Sequence, residues 1–266
     1  MNAATEARQS DLDRVTDSTA PSAALGAELF AVADLLAEQP ALRNALADPT
    51  SQDSRRRGMA AAVFGSRISA DAVTIVGEAA ALRWGTGGRM VAALDRQGLR
   101  TLFATAHAAG RLDAVEDELF RFSRAVVSDQ ALREALDDRN APVAARQELV
   151  DSLLEGKAEA ITVELARRAV ASASRSFELT VEEYLRLAAA TRQRQVAVVT
   201  VARPLDEQQR ARLQAVLSQK LSRQLTLQVL VDPTVLGGAR VRVGDEVIEG
   251  TVAGRLSAAR QQLTTS

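Results

Sequence analysis

The chain contains a single histidine, His107, and no cysteine. His107 lies in an Ala-rich helical segment, and without a thiolate or second imidazole it has neither partners for a transition metal nor a nucleophile to activate. It reads as a surface or helix-end histidine. Gly85-Thr86-Gly87-Gly88 has the glycine density of a phosphate cradle, yet no Lys-Ser or Lys-Thr follows and no β-branched strand precedes it, so it reads as a turn. Gly237-Gly238 follows Pro233 and leads into a strand, where glycines supply positive φ or close backbone packing. Asp245 has the carboxylate of a general acid or base, but no second perturbed acid accompanies it and turn chemistry accounts for it. Arg55-Arg56-Arg57, with Asp48 and Asp53 nearby, reads as a solvated helix face rather than a nucleic-acid patch. Trp84 and Tyr184 are too isolated to make a stacking platform. No catalytic, cofactor-binding or metal-binding residue emerges, and no cofactor is expected.

The elements that could position any of these residues must be mostly helical. With 266 residues there is room for two or three domains; 47% hydrophobic content builds real cores, while 3% aromatics among abundant Ala, Leu, Arg and Glu points to packed helices. A net charge of −1 gives no global field toward nucleic acid or anionic lipid. The absence of cysteine suits a reducing compartment. Apolar runs such as Met59 to Phe64 fall far short of the roughly 20 residues that span a bilayer. Met1-Asn2-Ala3-Ala4-Thr5-Glu6 lacks the basic segment and apolar core of a secretory signal. The expectation is a cytoplasmic protein that reaches a membrane only through a partner.

Laid on itself with a shift of ninety residues, the sequence repeats. Glu28-Leu29-Phe30 falls on Glu118-Leu119-Phe120, and Ala41-Leu42-Arg43 on Ala131-Leu132-Arg133; Ala45, Leu46, Asp48 and Arg56 match Ala135, Leu136, Asp138 and Arg146. In the first copy the pattern predicts helices over Ala3 to Val15, Ala23 to Glu38, Ser54 to Phe64 and Ala70 to Trp84, with the glycines at 85–88 as the joint. In the second it predicts Leu99 to Ala106, a helix with Leu112, Val115, Leu119, Phe122 and Val126 along one face, and then Pro142 to Leu154, Ala158 to Ser172 and Leu179 to Arg194.

After Arg194 the period changes. Val196, Val198, Val199 and Val201 make a β-branched run. Asp206 and Gln209 resemble a capping box for a helix burying Leu213, Val216, Leu217 and Leu221, and a strand at Leu225 to Val231 follows. Val241 and Val243 alternate with Arg240 and Arg242 as in a strand with one dry and one wet face. Gly244-Asp245 supplies a two-residue hairpin turn, Val247-Ile248 begin the return strand, and Gly250 stops it. Thr251 is placed to cap a last helix with Val252, Leu256, Ala259 and Leu263 at helical spacing. The fold class is therefore mainly α: two repeated helical-bundle units, then a small α+β module.

That C-terminal order resembles the signature of the delta subunit of F-type ATP synthases, called the oligomycin-sensitivity-conferring protein in mitochondria. The residues that carry the resemblance are Gly237, Gly238, Arg240, Val241, Val243, Gly244, Asp245, Val247, Ile248, Gly250, Gly254, Arg255 and Leu256. Leu99 to Ala106 and Gly110 to Leu119 look like the first helix and second-helix start of that family's N-terminal domain. Residues 1–88 exceed the family's usual length and are similar to the extended delta subunits of actinobacteria. The resemblance implies three parts: 1–88 as an additional helical repeat, 89–194 as the family's helical bundle, and 195–266 as the α+β module.

It further implies a non-catalytic stator subunit, one copy per complex, peripheral on the cytoplasmic face of the cell membrane. The bundle would grip the N-terminal helices of the alpha subunits through Leu99 to Ala106 and Ala158 to Ser172. The module containing Gly237 to Leu256 would hold the b subunit of the peripheral stalk, so that the catalytic head cannot turn with the rotor. No nucleic acid partner and no direct membrane insertion are expected. Two other readings stand beside this one. An unrelated adaptor built from helical repeats accounts for the first two thirds but not for the C-terminal signature. An enzyme using the α+β module would need a concave site with convergent polar groups.

Overall fold

Several helix starts are fixed by one side chain each. Ser22, Ser69, Thr86 and Asp129 accept the backbone N–H three residues on, from Leu25, Ala72, Arg89 and Leu132, satisfying donors that the first turn leaves unpaired. They open α2 (Ala23–Glu38), α5 (Ala70–Ala81), α6 (Gly87–Ala108) and α8 (Gln130–Asp137). The other helices of this region are α1 (Ala3–Asp17), α3 (Pro40–Leu46), α4 (Asp53–Phe64), α7 (Leu112–Ser128), α9 (Val143–Leu154), α10 (Ala160–Ala171) and α11 (Phe177–Gln195). The structure, a computed structural model, describes residues 3–172, 175–220, 225–235, 238–243 and 246–249. The chain forms two compact units, 1–188 and 189–266.

The duplication governs the first unit. Shifted by ninety residues, α2 to α6 fall on α7 to α11, and α1 falls on 93–107, inside α6. Helix α6 therefore closes one copy and opens the next. Its Met90, Ala93 and Leu94 pack in a core with Leu12, Leu29, Leu36, Ile75 and Trp84. Further along the same helix, Leu99, Leu102, Phe103 and Ala106 pack in a second core with Val115, Leu119, Phe122, Leu165 and Tyr184. Each such fully buried aliphatic side chain contributes roughly 1.5–3 kcal/mol relative to exposure.

Polar bonds repeat as well. Glu28 accepts from the Ser69 backbone N–H (3.0 Å) and hydroxyl (2.5 Å); its counterpart Glu118 accepts from the Glu159 N–H (2.9 Å) and the Thr162 hydroxyl (2.6 Å). Arg56 donates through Nε to the Ala80 carbonyl, and its counterpart Arg146 through Nη1 to the Val170 carbonyl, both at 2.6 Å. These carbonyls lie in the last turns of α5 and α10, where the helix leaves acceptors unpaired and carries partial negative charge.

Some sequence expectations need correction. The helix expected from Leu99 begins at Gly87, because Thr86 caps it and Gly85, with φ of +80°, turns the chain into it. Helix α5 stops at Ala81, and Trp84 folds back with its indole N–H on the Ala79 carbonyl at 2.8 Å. Helices α3 and α8, of 7 and 8 residues, are too short to show a period and were not expected. Arg56 is not on a solvated face: it is 1% exposed, while Arg55 and Arg57 flank it in solvent.

Among its described residues, the second unit holds a four-stranded sheet and helix α12 (Glu207–Lys220). Strands β1 (Val196–Val201) and β2 (Thr226–Val231) run parallel, linked through α12. Strands β3 (Ala239–Val243) and β4 (Glu246–Glu249) complete the order β2-β1-β3-β4 with antiparallel pairings. Asp206 and Gln209 form the expected capping box, each side chain accepting or receiving the other's backbone N–H at 2.7 and 3.1 Å. Ala197, Val199, Val201, Leu227, Val241 and Val243 pack with Leu217 of α12 on one face. The fold is thus mainly α with a small α+β module.

Candidate interaction surfaces

The C-terminal signature residues divide between backbone shaping and display. Gly238 has φ of +80°, a left-handed conformation that costs a side-chain-bearing residue roughly 1–2 kcal/mol. Gly238→Ala is accordingly expected to lower stability by about that amount, read as an earlier urea midpoint of the second unit's unfolding, and an unchanged midpoint would refute the assignment. Val241 and Val243 are buried and Arg240 and Arg242 exposed, the wet and dry faces that the alternation implies. Val247 pairs with Arg242 on the exposed face at 53% exposure, Ile248 pairs with Val241, and the Val243–Glu246 pair brackets residues 244 and 245. Gly237, Gly244, Asp245, Gly250, Gly254, Arg255 and Leu256 lie outside the described residues, as does the helix expected after Thr251.

Before β3, the Asp232 carboxylate accepts the Thr234 hydroxyl at 2.6 Å and its backbone N–H at 2.9 Å. Those bonds, the hydroxyl's first, hold the carboxyl below its ordinary value of 3.8. The turn's contribution is therefore present above that value and is lost as pH falls through the lowered one.

The two stretches that the resemblance assigns to the catalytic head, Leu99 to Ala106 and Ala158 to Ser172, are largely covered. Along α6, Leu99, Arg100, Thr101, Leu102, Phe103 and Ala106 are all buried, leaving only Ala104 and Thr105 half-exposed within that stretch. On α10 only Ala160 is exposed. The cover comes from the first copy. A Cβ on Gly98 would stand 2.5 Å from Phe30 Cε1, and one on Gly26 2.9 Å from Leu102 Cδ2, so the two glycines let α2 and α6 cross closely.

Ion pairs and a hydrogen bond also fasten α1 and α10 to these helices. Asp13 receives Arg96 at 2.5 Å, Gln97 at 2.9 Å and Arg100 at 3.3 Å, and Asp17 receives Arg100 at 2.6 Å. Arg168 of α10 reaches Asp34 of α2 at 2.7 Å and Asp95 of α6 at 2.6 Å while its guanidinium lies 4.8 Å from the Phe30 ring centroid. Burial pushes the Asp95 carboxyl and the Tyr184 hydroxyl up. Sequence reasoning missed this layer. Its signal was available: Asp13 and Asp17, and Arg96 and Arg100, are each one helical turn apart and so present paired charges on one face.

The remaining candidates have structural surroundings. His107 is half-buried in the last turn of α6, and Trp84 and Tyr184 belong to the two cores. Among the described residues no cluster of three or more His, Cys, Asp or Glu could hold a metal ion, and no helix is long and apolar enough to cross a membrane.

A duplicated helical unit followed by a small mixed sheet, with its buried charged side chains fastening helices together, defines a scaffold of the helical-repeat kind. Comparison makes the class specific: the sequence model of the ATP synthase delta (OSCP) subunit matches residues 100–263. The chain is 44% identical to ATP synthase subunit delta of Parafrankia sp. (strain EAN1pec), over 97% of this chain and 96% of that one. It is 45% identical to the Streptomyces avermitilis subunit delta over 98% and 97%, and 42% identical to that of Rhodococcus opacus (strain B4) over 92% and 89%. The chain belongs to the ATP synthase delta (OSCP) subunit family, whose members are non-catalytic stator subunits of the peripheral stalk. The family match begins in α6, whereas the actinobacterial relatives align over nearly the whole chain, first copy included.

Proposed function

We propose that this stator subunit joins the N-terminal helices of the alpha subunits to the b subunit, as one copy per complex on the cytoplasmic face of the membrane. In this reading residues 1–88 are the additional repeat, 89–194 the bundle that faces the head, and 195–266 the module that faces b, with Gly237 to Leu256 shaping the b contact. The observation that carries it is the extent of the family match, which takes in both the second helical copy and the sheet module. Such a role needs extended helix and sheet surfaces and a firm internal frame, and the paired charges between the copies provide the frame.

Calorimetry on the intact chain tests the reading with two titrants, a peptide of the alpha-subunit N-terminus and the soluble end of the b subunit. Separate, saturable binding of both is expected, with the two additive in one sample. Failure of either titrant to bind folded protein would break that link of the proposal.

A further inference from the structure

The two copies use the same phenylalanine differently. Phe30 of α2 is 4% exposed, seated on Gly98 beneath the Arg168 guanidinium; Phe120 of α7, its counterpart at the ninety-residue shift, is 54% exposed. Rotation of α7 does not account for the difference. Glu28 and Glu118, two residues earlier, make matching bonds to the start of α5 and α10, and Leu29 and Leu119, one residue earlier, are both fully buried. Each helix is thus set alike in its own copy, and what differs is the neighbour. Phe30 has one and Phe120 does not among the described residues.

Charge around the ring is inverted. Asp34, which binds Arg168 from α2, corresponds to Arg124 on α7. Arg124 is exposed and makes no hydrogen bond or ion pair among the described residues, whereas Arg121 beside it is held by Asp117 at 2.6 Å. Phe120 and Arg124 are one turn apart and share a face with Asp117 and Ser128. Gly26, which admits Leu102 between α2 and α6, corresponds to Glu116, so a neighbour cannot approach α7 as closely and must meet it through side chains.

We propose that the α7 face carrying Phe120 and Arg124 docks an α-helix from another subunit of the synthase, one offering a small residue as a seat for the ring and a carboxylate for the guanidinium. The inference rests on the stator reading and adds to it a surface on the second copy distinct from the buried α6 stretch. A helix is the fitting occupant because the same ring at the same repeat position already seats on one, and the unpaired guanidinium selects an acidic one.

Because the chain has no cysteine, Phe120→Cys gives a unique thiol whose maleimide labelling can be followed on this subunit alone. Labelling is compared between the isolated chain and purified, assembled ATP synthase. Ser128→Cys, two turns along the same face, gives the reading where removal of the ring itself weakens docking. More than threefold protection in the complex is expected at either position, with a photo-crosslinker at position 120 joining a helical segment that contains Asp or Glu. Arg124→Glu should abolish the protection of Ser128→Cys while leaving the isolated chain's thermal midpoint unchanged. Labelling equal within threefold at both positions, or a crosslinked segment without a carboxylate, overturns the proposal. Absence of the wild-type chain from the purified synthase would instead overturn the stator reading, and this proposal with it.

Discussion

Arg56→Ala is expected to remove about 3–5 kcal/mol of the first unit's stability, because several buried backbone carbonyls lose a charged donor at once and each costs about 1–3 kcal/mol. The guanidinium uses all five of its N–H groups. Nε meets the Ala80 carbonyl at 2.6 Å, Nη2 meets Ala81 at 2.5 Å and Asp53 at 2.8 Å, and Nη1 meets Asp48 and Ser51 at 2.8 and 2.6 Å. Truncation removes this donor from the Ala80, Ala81 and Ser51 carbonyls, leaves the Asp48 carbonyl only the Ser51 N–H at 3.3 Å, and opens a cavity where only 1% of the residue was exposed. Lysine, with a single ammonium, cannot reach both helix α5's end and the loop before α4, so Arg56→Lys should recover only part of the loss. Arg146→Ala is the internal control. That residue spans the Val170 and Leu136 carbonyls at 2.6 and 3.4 Å, and about half the loss is expected. Urea unfolding of the three variants decides it: a loss below about 1 kcal/mol for Arg56→Ala would mean that water replaces the guanidinium without penalty.

Gly98→Val should be nearly as damaging, about 3 kcal/mol, at the upper end of what overpacking costs a well-filled core. Its Cβ would lie 2.5 and 2.6 Å from two atoms of the Phe30 ring, distances no pair of carbons tolerates, and the ring has little room to retreat under Arg168. The effect is specific to the contact between copies, which a double-mutant cycle can isolate. Phe30→Ala alone leaves a cavity costing about 3–5 kcal/mol, but combined with Gly98→Val the losses should fall well short of their sum, because each change relieves the other. Strict additivity would show that the valine is accommodated by bending α6 rather than by pushing the ring.

How much of this was legible in the sequence depended on the range of the interaction. The α2 boundaries, the Asp206–Gln209 box and the alternation across Arg240 to Val243 are written in adjacent residues, and the structure has them as read. The ninety-residue repeat was legible because identical residues kept identical jobs, as Glu28 and Glu118 do. Arg56 shows where local reading fails: three consecutive arginines look alike by composition, and only the match to Arg146 marked the middle one as different. The burial of α6 was harder still. Leu99 to Ala106 carries the same pattern whether its outer side meets water, a partner or another part of the same chain, and the choice was made by Gly26, Phe30 and Asp13, some seventy to ninety residues away.

Helix α6 has a mechanical consequence. Its 22 residues make a rod of about 33 Å that runs through the cores of both copies without a break. Two modules joined by a loop would swivel under a sideways load; two modules threaded on one rod bend only if backbone hydrogen bonds stretch. The pair should respond to force as a single stiff beam, and any elastic give in this part of the stator must be sought outside residues 87–108.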